Sequence, residues 1–218
     1  GAFPFQSAIR WVRERGRSMQ SAVPPGEGGM AALLNVDDSA IEKLCSAAVE
    51  SAKEKRSRGE SKTKVECVLS PANFNAPGQT VVAGAADAVS EAVALLKSGG
   101  EFSGKAIPLS VSAPFHCSLM SPARSRMAEI FASAGEPEKP RSLRFPYVPN
   151  RTAKLTAEPS VVFELLVEQV DHPVLWIQSV SMLIERGFTR AIEFGPGKVL
   201  QGLSKRVSSA EGKAFVCT

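Results

Sequence analysis

Histidine is nearly absent: the 218 residues contain two, His116 and His172, which leaves no basis for a histidine-built metal centre. The four cysteines, Cys45, Cys67, Cys117 and Cys217, lie far apart and form no CxxC pair. That spacing argues against a zinc site and gives little support to a disulfide framework. No apolar run approaches the roughly 18 residues of a membrane span, so no membrane association is expected. Net charge is small: 26 basic against 22 acidic residues gives +4. Between Ser51 and Lys64 stand Lys53, Lys55, Arg56, Arg58, Lys62 and Lys64 against Glu54 and Glu60, so this one stretch carries the whole imbalance. Without a spread basic footprint, nucleic acid is not an expected partner. Phosphate-binding glycine motifs are missing too, because Gly197-Lys198 is followed by Val199 rather than Ser or Thr, and no GxGxxG occurs. Neither does GxSxG, and Gly100–Gly104 (GEFSG) has the letters in the wrong order. A serine-nucleophile mechanism therefore cannot be completed from these residues. The chain starts at Gly1 with no signal-like segment and reads as cut from something longer. Any targeting region would lie outside it, and the compartment (cytoplasm, plastid or mitochondrion) stays open for a protein expected to be soluble.

What is present has an ordinary globular balance, 44% hydrophobic and 22% charged. Residues 5–21 carry Phe5, Ala8, Ile9, Val12 and Met19 at helical spacing, and VPPGEGG (23–29) ends the helix. An alternating pattern follows: a strand over 29–36, then a helix from Asp37 or Asp38 to about Ala52. Two strands, VECVLSPANFN and QTVVAGA, are joined by a turn at 76–78. A helix over ADAVSEAVALLK stops at glycines, and a strand covers 106–113. The order β-α-β-β-α-β is the split ferredoxin-like pattern. After Pro114 the spacing predicts a helix from Ser121 to about Ala134, with Ser121 as cap and Pro122 at the first helical position. A short strand at 144–148, helices at about 160–170 and 173–187, a strand TRAIEF (189–194), a helix KVLQGLSKRV (198–207) and a last strand AFVCT complete it. The simplest architecture is an α/β domain interrupted by a small ferredoxin-like domain over 28–113, with 1–27 and 114–218 belonging to the larger part.

Two residues invite a chemical role. Arg15 falls on the stripe Ala8, Val12, Arg15, Met19, while Arg10, Arg13 and Arg17 fall on the other side. An arginine keeps its charge, so a buried one needs acceptors. It either snorkels or pairs with an internal carboxylate, or it forks onto a carboxylate ligand, and spacing leaves both open. His116, in SAPFHCSLMSP (112–122), stands just beyond the carboxyl end of a predicted strand, where open α/β folds place their sites. Its imidazole suits acid–base work near neutral pH, although an isolated histidine also serves as a plain hydrogen-bonded loop residue. His172, before Pro173, is expected only to fix a helix entry. EFGPGKVL (193–200) reads as a tight strand-to-helix turn rather than a phosphate cradle.

Five blocks in order, RERGRSMQSAVPPGEGGMAALL (13–34), SPANFNAPGQTVVAGA (70–85), PLSVSAPFHCSLMSPA (108–123), DHPVLWIQSV (171–180) and EFGPGKVLQGLSKR (193–206), resemble the malonyl-CoA:acyl carrier protein transacylases of fatty-acid synthesis. The resemblance implies an α/β-hydrolase-like acyltransferase core, incomplete at its N-terminus, with an inserted ferredoxin-like subdomain. It implies a C-terminal piece, about three-quarters of such an enzyme, lacking the serine elbow. The implied chemistry is ping-pong: a serine outside this chain takes malonyl from malonyl-CoA and passes it to the phosphopantetheine thiol of acyl carrier protein. On that match Arg15 grips the malonyl carboxylate, and His116 is the base and later the acid. The backbone carbonyl of Gln169 orients the histidine, and Asn75 lines the site more loosely. The resemblance implies no cofactor or metal, and a monomer when full length. Phe115 before the histidine is similar to malonyl-selective polyketide acyltransferases, whereas NAPGQTVVAG looks more like the stand-alone enzyme. The charged stretch 51–64 reads as a solvated loop, with docking to an acidic carrier protein as a possible addition. The rivals are an acyltransferase domain of a polyketide or fatty-acid megasynthase and a non-catalytic carrier-protein-binding homologue.

Overall fold

Small and apolar residues, buried along most of their length, build the two central strands, β1 (Gly28–Leu34) and β3 (Gln79–Ala85). In the computed structural model, which describes residues 1–218, they pair antiparallel from Gly28 opposite Ala85 to Leu34 opposite Gln79. β2 (Leu69–Ala76) turns into β3 through Pro77 and Gly78, the latter at φ 69°, where a side chain would be strained. β4 (Lys105–Pro108) adds on the other side of β1. It is shorter than the strand predicted over 106–113. The fifth strand comes from far along the chain: β5 (Val174–Leu175) lies parallel to β2, with Asn73 opposite Val174. The order is β4-β1-β3-β2-β5.

Period-two alternation sends successive residues to opposite faces. Ala31, Leu33 and Val82 pack on one face with α2 (Asp38–Ser57) and α3 (Ala86–Lys97). Met30, Ala32, Val81 and Ala83 pack on the other with α1 (Phe5–Ser21) and α4 (Ser121–Ala132). The result is a sheet covered on both faces, where a fully buried leucine such as Leu33 or Leu44 contributes about 1.5–3 kcal/mol. Close approach is tightest at Gly84, where an added Cβ would sit 2.0 Å from the Val68 carbonyl oxygen. Backbone cannot yield as a side-chain tip does, so Gly84→Ala is expected to cost about 2–3 kcal/mol in urea denaturation. A loss below about 0.5 kcal/mol would contradict that packing.

Several local expectations need correction. The stretch 51–64 is not a loop throughout: α2, capped by Asp37 accepting from Ser39 N at 2.8 Å, continues to Ser57. Alanines at 48 and 52 keep its buried stripe going, and its basic end is paired rather than free. Arg56 forks onto Asp87 at 2.7 and 2.9 Å, and Lys55 reaches Glu91 at 2.6 Å. α4 is capped by Met120 without a side-chain bond, and Ser121 is its first residue. The Ser121 hydroxyl instead donates to Ser118 O. The strand at 144–148 reduces to one bridge, Tyr147 to Thr156. TRAIEF contributes only β6 (Arg190–Ala191), which pairs in parallel with β7 (Val216–Cys217). The helices at 160–170 and 173–187 are α5 (Val162–Glu168) and α6 (Trp176–Glu185), and α7 (Val199–Ala210) follows.

The stripe predicted for α1 is also displaced. Its buried residues are Ser7, Trp11 and Met19, whereas Phe5, Ile9 and Val12 are 78%, 55% and 68% exposed. Trp11 is the anchor: its ring meets Phe3, Phe131 and Phe163 edge-on at 5.2, 5.2 and 5.4 Å. Such pairs add about 0.5–1.5 kcal/mol each beyond area burial. This knot fixes α1 against α4 and α5.

Candidate active site

One turn after Trp11 on the same helix face stands Arg15. It is half-buried, and burial lowers its pKa from the usual guanidinium value. No counter-charge or hydrogen bond offsets that cost. The contrast with its neighbours is plain, since Arg10 pairs with Glu138 and Arg17 with Glu14. The internal-carboxylate reading of Arg15 is thereby removed. The residue lines a small apolar crevice of about 160 Å³ with Trp11, Val12, Met127 and Phe131.

His116 lies in the segment between β4 and α4. Its backbone is left-handed, φ 63°, a region non-glycine residues visit at a cost of about 1–3 kcal/mol unless the surroundings enforce it. The enforcement is local. Phe115 N donates to Ala113 O at 3.1 Å, the Cys117 thiol donates to Pro114 O at 3.1 Å, and Met120 N donates to Cys117 O at 2.9 Å. Pro114 is wedged against β1, where a Cβ on Gly28 would meet its ring at 2.5 Å. Cys117 does not stand in for a nucleophile, because burial pushes its thiol up to about 11.

The His116 Nδ1 lies 3.0 Å from the Gln169 carbonyl. A carbonyl only accepts, so Nδ1 carries the proton and Nε2 is left as the basic atom. Desolvation lowers the His116 pKa most. The Gln169 carbonyl opposes it, the Arg15 charge lowers it further, and the His172 carbonyl raises it. Arg15 is thus close enough to act on the imidazole, although the two are a hundred residues apart in sequence. Because the folded value lies below the unfolded one, the unfolded chain takes up this proton first as pH falls. Stability contributed by the neutral ring is lost below about pH 6.5 and levels off once the folded ring also protonates. An NMR titration of His116 is expected to give a midpoint below about 6.5; a midpoint above it would contradict the buried, arginine-facing environment.

Gln169 caps the C-terminal end of α5, where helix carbonyls lack intrahelical partners. Its side chain is engaged as well, Nε2 donating to His172 O at 3.0 Å and Pro173 O at 3.3 Å. Asn75 sits at a register shift of β2 between Phe74 and Ala76, and its side chain bonds neither Arg15 nor His116. The structure joins His116 to Gln169 by a hydrogen bond and puts His116 within reach of the Arg15 charge, while the Asn75 side chain is bonded to none of the three. The segment around His172 was given too small a part by sequence. Its Nδ1 lies 2.7 Å from Asp171 Oδ1 and 2.9 Å from Glu168 O, and Asp171 also receives Arg124 Nη1 at 3.4 Å. The adjacent pair Asp171-His172 was the available signal. The glycine turn at 195–197 is no phosphate cradle: the Glu193 carboxylate accepts from Leu200 N and Gln201 N at the start of α7. No three His, Cys, Asp or Glu side chains gather as a metal site.

No family model matches the chain. Curated proteins do. The malonyl CoA-acyl carrier protein transacylase of Salmonella typhimurium is 39% identical over 207 residues, 95% of this chain and 60% of the relative. Among solved structures, the acyl-carrier-protein S-malonyltransferase of Burkholderia pseudomallei superposes with a TM-score of 0.83 at 35% identity, covering 100% of this chain and 62% of that one. A malonyl-transacylase solved in complex with its type II PKS acyl-carrier protein gives 0.83 at 33% identity, over 100% and 63%. The chain thus spans about three-fifths of the length of these relatives, less than the three-quarters expected. By sequence and by fold alike, it is similar to the malonyl-CoA:acyl carrier protein transacylases along nearly all of its own length.

Proposed function

We propose that the chain is the part of a malonyl-CoA:acyl carrier protein transacylase that supplies the acid–base histidine and the carboxylate-binding arginine. The observation that carries this reading is Arg15: a half-buried guanidinium with no internal partner, acting electrostatically on His116, whose Nδ1 faces the Gln169 carbonyl. Leaving a cation so placed costs stability unless a ligand supplies the anion. Malonyl carries a carboxylate at one end and the reacting thioester at the other, so one cation beside one base suits it.

The serine of the ping-pong mechanism lies outside this chain. His116 Nε2 takes the serine proton as the hydroxyl attacks the malonyl thioester, then gives it to the departing coenzyme A thiolate. In the second half the same nitrogen takes the proton of the carrier protein's phosphopantetheine thiol as its sulfur attacks the malonyl-serine ester, and returns that proton to the departing serine oxygen. Gln169 O holds the Nδ1 proton throughout and favours the imidazolium formed on the way. Arg15 fixes the substrate by its far end, and no cofactor enters. Asn75 contributes to the wall of the site from β2. Acyl carrier protein is the acceptor, in line with the related transacylase solved with its own carrier protein.

Residues 28–113 form the ferredoxin-like small subdomain in this reading, supported by the β-α-β-β-α-β order and the antiparallel arrangement β4-β1-β3-β2. Residues 1–27 and 114–218 belong to the larger hydrolase-like part. A lone parallel pair such as β6–β7 requires further strands, and its surroundings expose Ile192, Phe194 and Val199 at 66%, 90% and 68%. The rest of the polypeptide covers them.

The whole polypeptide, incubated with malonyl-CoA and no acceptor, is expected to form a covalent malonyl adduct on a serine, seen by intact-mass spectrometry and discharged by carrier protein. Carrier-protein binding without an adduct would instead support the non-catalytic homologue.

A further inference from the structure

We propose that the side chain of Gln169 is a positioning element for His116: a clamp that aims its own main-chain carbonyl at Nδ1 and so fixes the tautomer. This rests on the reading of His116 as the acid–base residue, but the geometry stands apart from it. Both groups facing the Gln169 amide are carbonyl oxygens, of His172 and Pro173. Only the NH₂ end can face two acceptors, so chemistry settles the amide orientation. The consequence is that Oε1 is buried without a partner, an arrangement with a cost. Two donated bonds bend residues 169–173 back on themselves, and the far side of the turn is tied down separately. Arg124 on α4 reaches Asp171, which also accepts from His172 Nδ1. Directly after Pro173 the chain enters the sheet as β5 beside β2. The clamp therefore links the frame of the sheet to the one carbonyl on which the His116 tautomer depends, 3.0 Å from Nδ1.

The test uses the complete, ¹⁵N-labelled polypeptide and two-bond proton–nitrogen spectra of the imidazole rings, with His116 assigned by loss of its signals in His116→Gln. Wild type is expected to show a protonated Nδ1 and a bare Nε2. Gln169→Met keeps the size of the side chain and the carbonyl but removes both donors. It is expected to shift His116 towards the Nε2–H form that a free imidazole prefers, and to lower kcat roughly tenfold or more at unchanged KM. Gln169→Glu, whose carboxylate meets two carbonyls, is expected to do the same and serves if the methionine variant folds poorly. A His116 that stays protonated at Nδ1 in a folded variant overturns the clamp. A shifted tautomer in a protein whose wild type transfers no malonyl would leave the clamp standing and remove the proposed function instead.

Discussion

Replacing His116 by asparagine is expected to lower malonyl transfer by the whole polypeptide about 10³-fold in kcat, near 4 kcal/mol of transition-state stabilisation. Asparagine is the better variant because it tolerates the left-handed backbone that His116 adopts at φ 63°. Alanine there adds a backbone penalty of about 1–2 kcal/mol that would blur the kinetic reading. Asparagine also keeps a donor towards the Gln169 carbonyl while offering no titratable nitrogen to a serine. Malonyl-CoA binding is therefore expected to survive, since Arg15 is untouched. The coenzyme A released in a single turnover reports the chemical step directly. A fall of less than about tenfold would make His116 a loop-stabilising residue rather than the base.

The second large effect concerns Arg15. Arg15→Ala is expected to cost about 10²–10³-fold in kcat/KM for malonyl-CoA, the range for losing a desolvated, charge-assisted fork. Acetyl-CoA, without a distal carboxylate, gains or keeps its rate. Arg15→Lys keeps the charge but not the planar fork and is expected to fall between. Folding stability gives an independent sign. Arg15 has no internal partner and burial disfavours its charge, so its removal should leave the melting temperature unchanged or raised. An arginine in a structural ion pair would do the opposite. The pH profile should move too: the Arg15 charge helps hold His116 down, so the apparent midpoint of the base rises in Arg15→Ala.

How far the sequence foretold this differs from element to element. The limits of α1 at 5–21, the Asp37 cap of α2 and the hairpin turn before Gln79 follow from local patterns, namely apolar spacing, capping chemistry and glycine. The buried face of α1 does not. Trp11, set among three phenylalanines from distant segments, overrides the Ala8–Val12–Met19 stripe, and nothing local shows that residues 131 and 163 come to meet it. The charged end of α2 misled for a related reason, since Arg56 and Lys55 are matched by Asp87 and Glu91 on another helix. At the site, Arg15 and His116 were each visible as anomalies, but their mutual influence depends on a three-dimensional approach. Gln169 came into view only through the family resemblance, because a main-chain carbonyl leaves no mark on residue type. The Arg124–Asp171–His172 network and the left-handed His116 were not foreseen: both depend on how the turn after α5 and the loop before α4 fold back.

The measurement that bears most directly on the central claim is the ratio of malonyl to acetyl transfer onto carrier protein, taken side by side for the whole wild-type polypeptide and Arg15→Ala. The account predicts a strong malonyl preference in wild type that collapses about 100-fold or more in the variant. A ratio that stays the same, with both acyl groups slowed equally, would mean that Arg15 does not hold the substrate carboxylate.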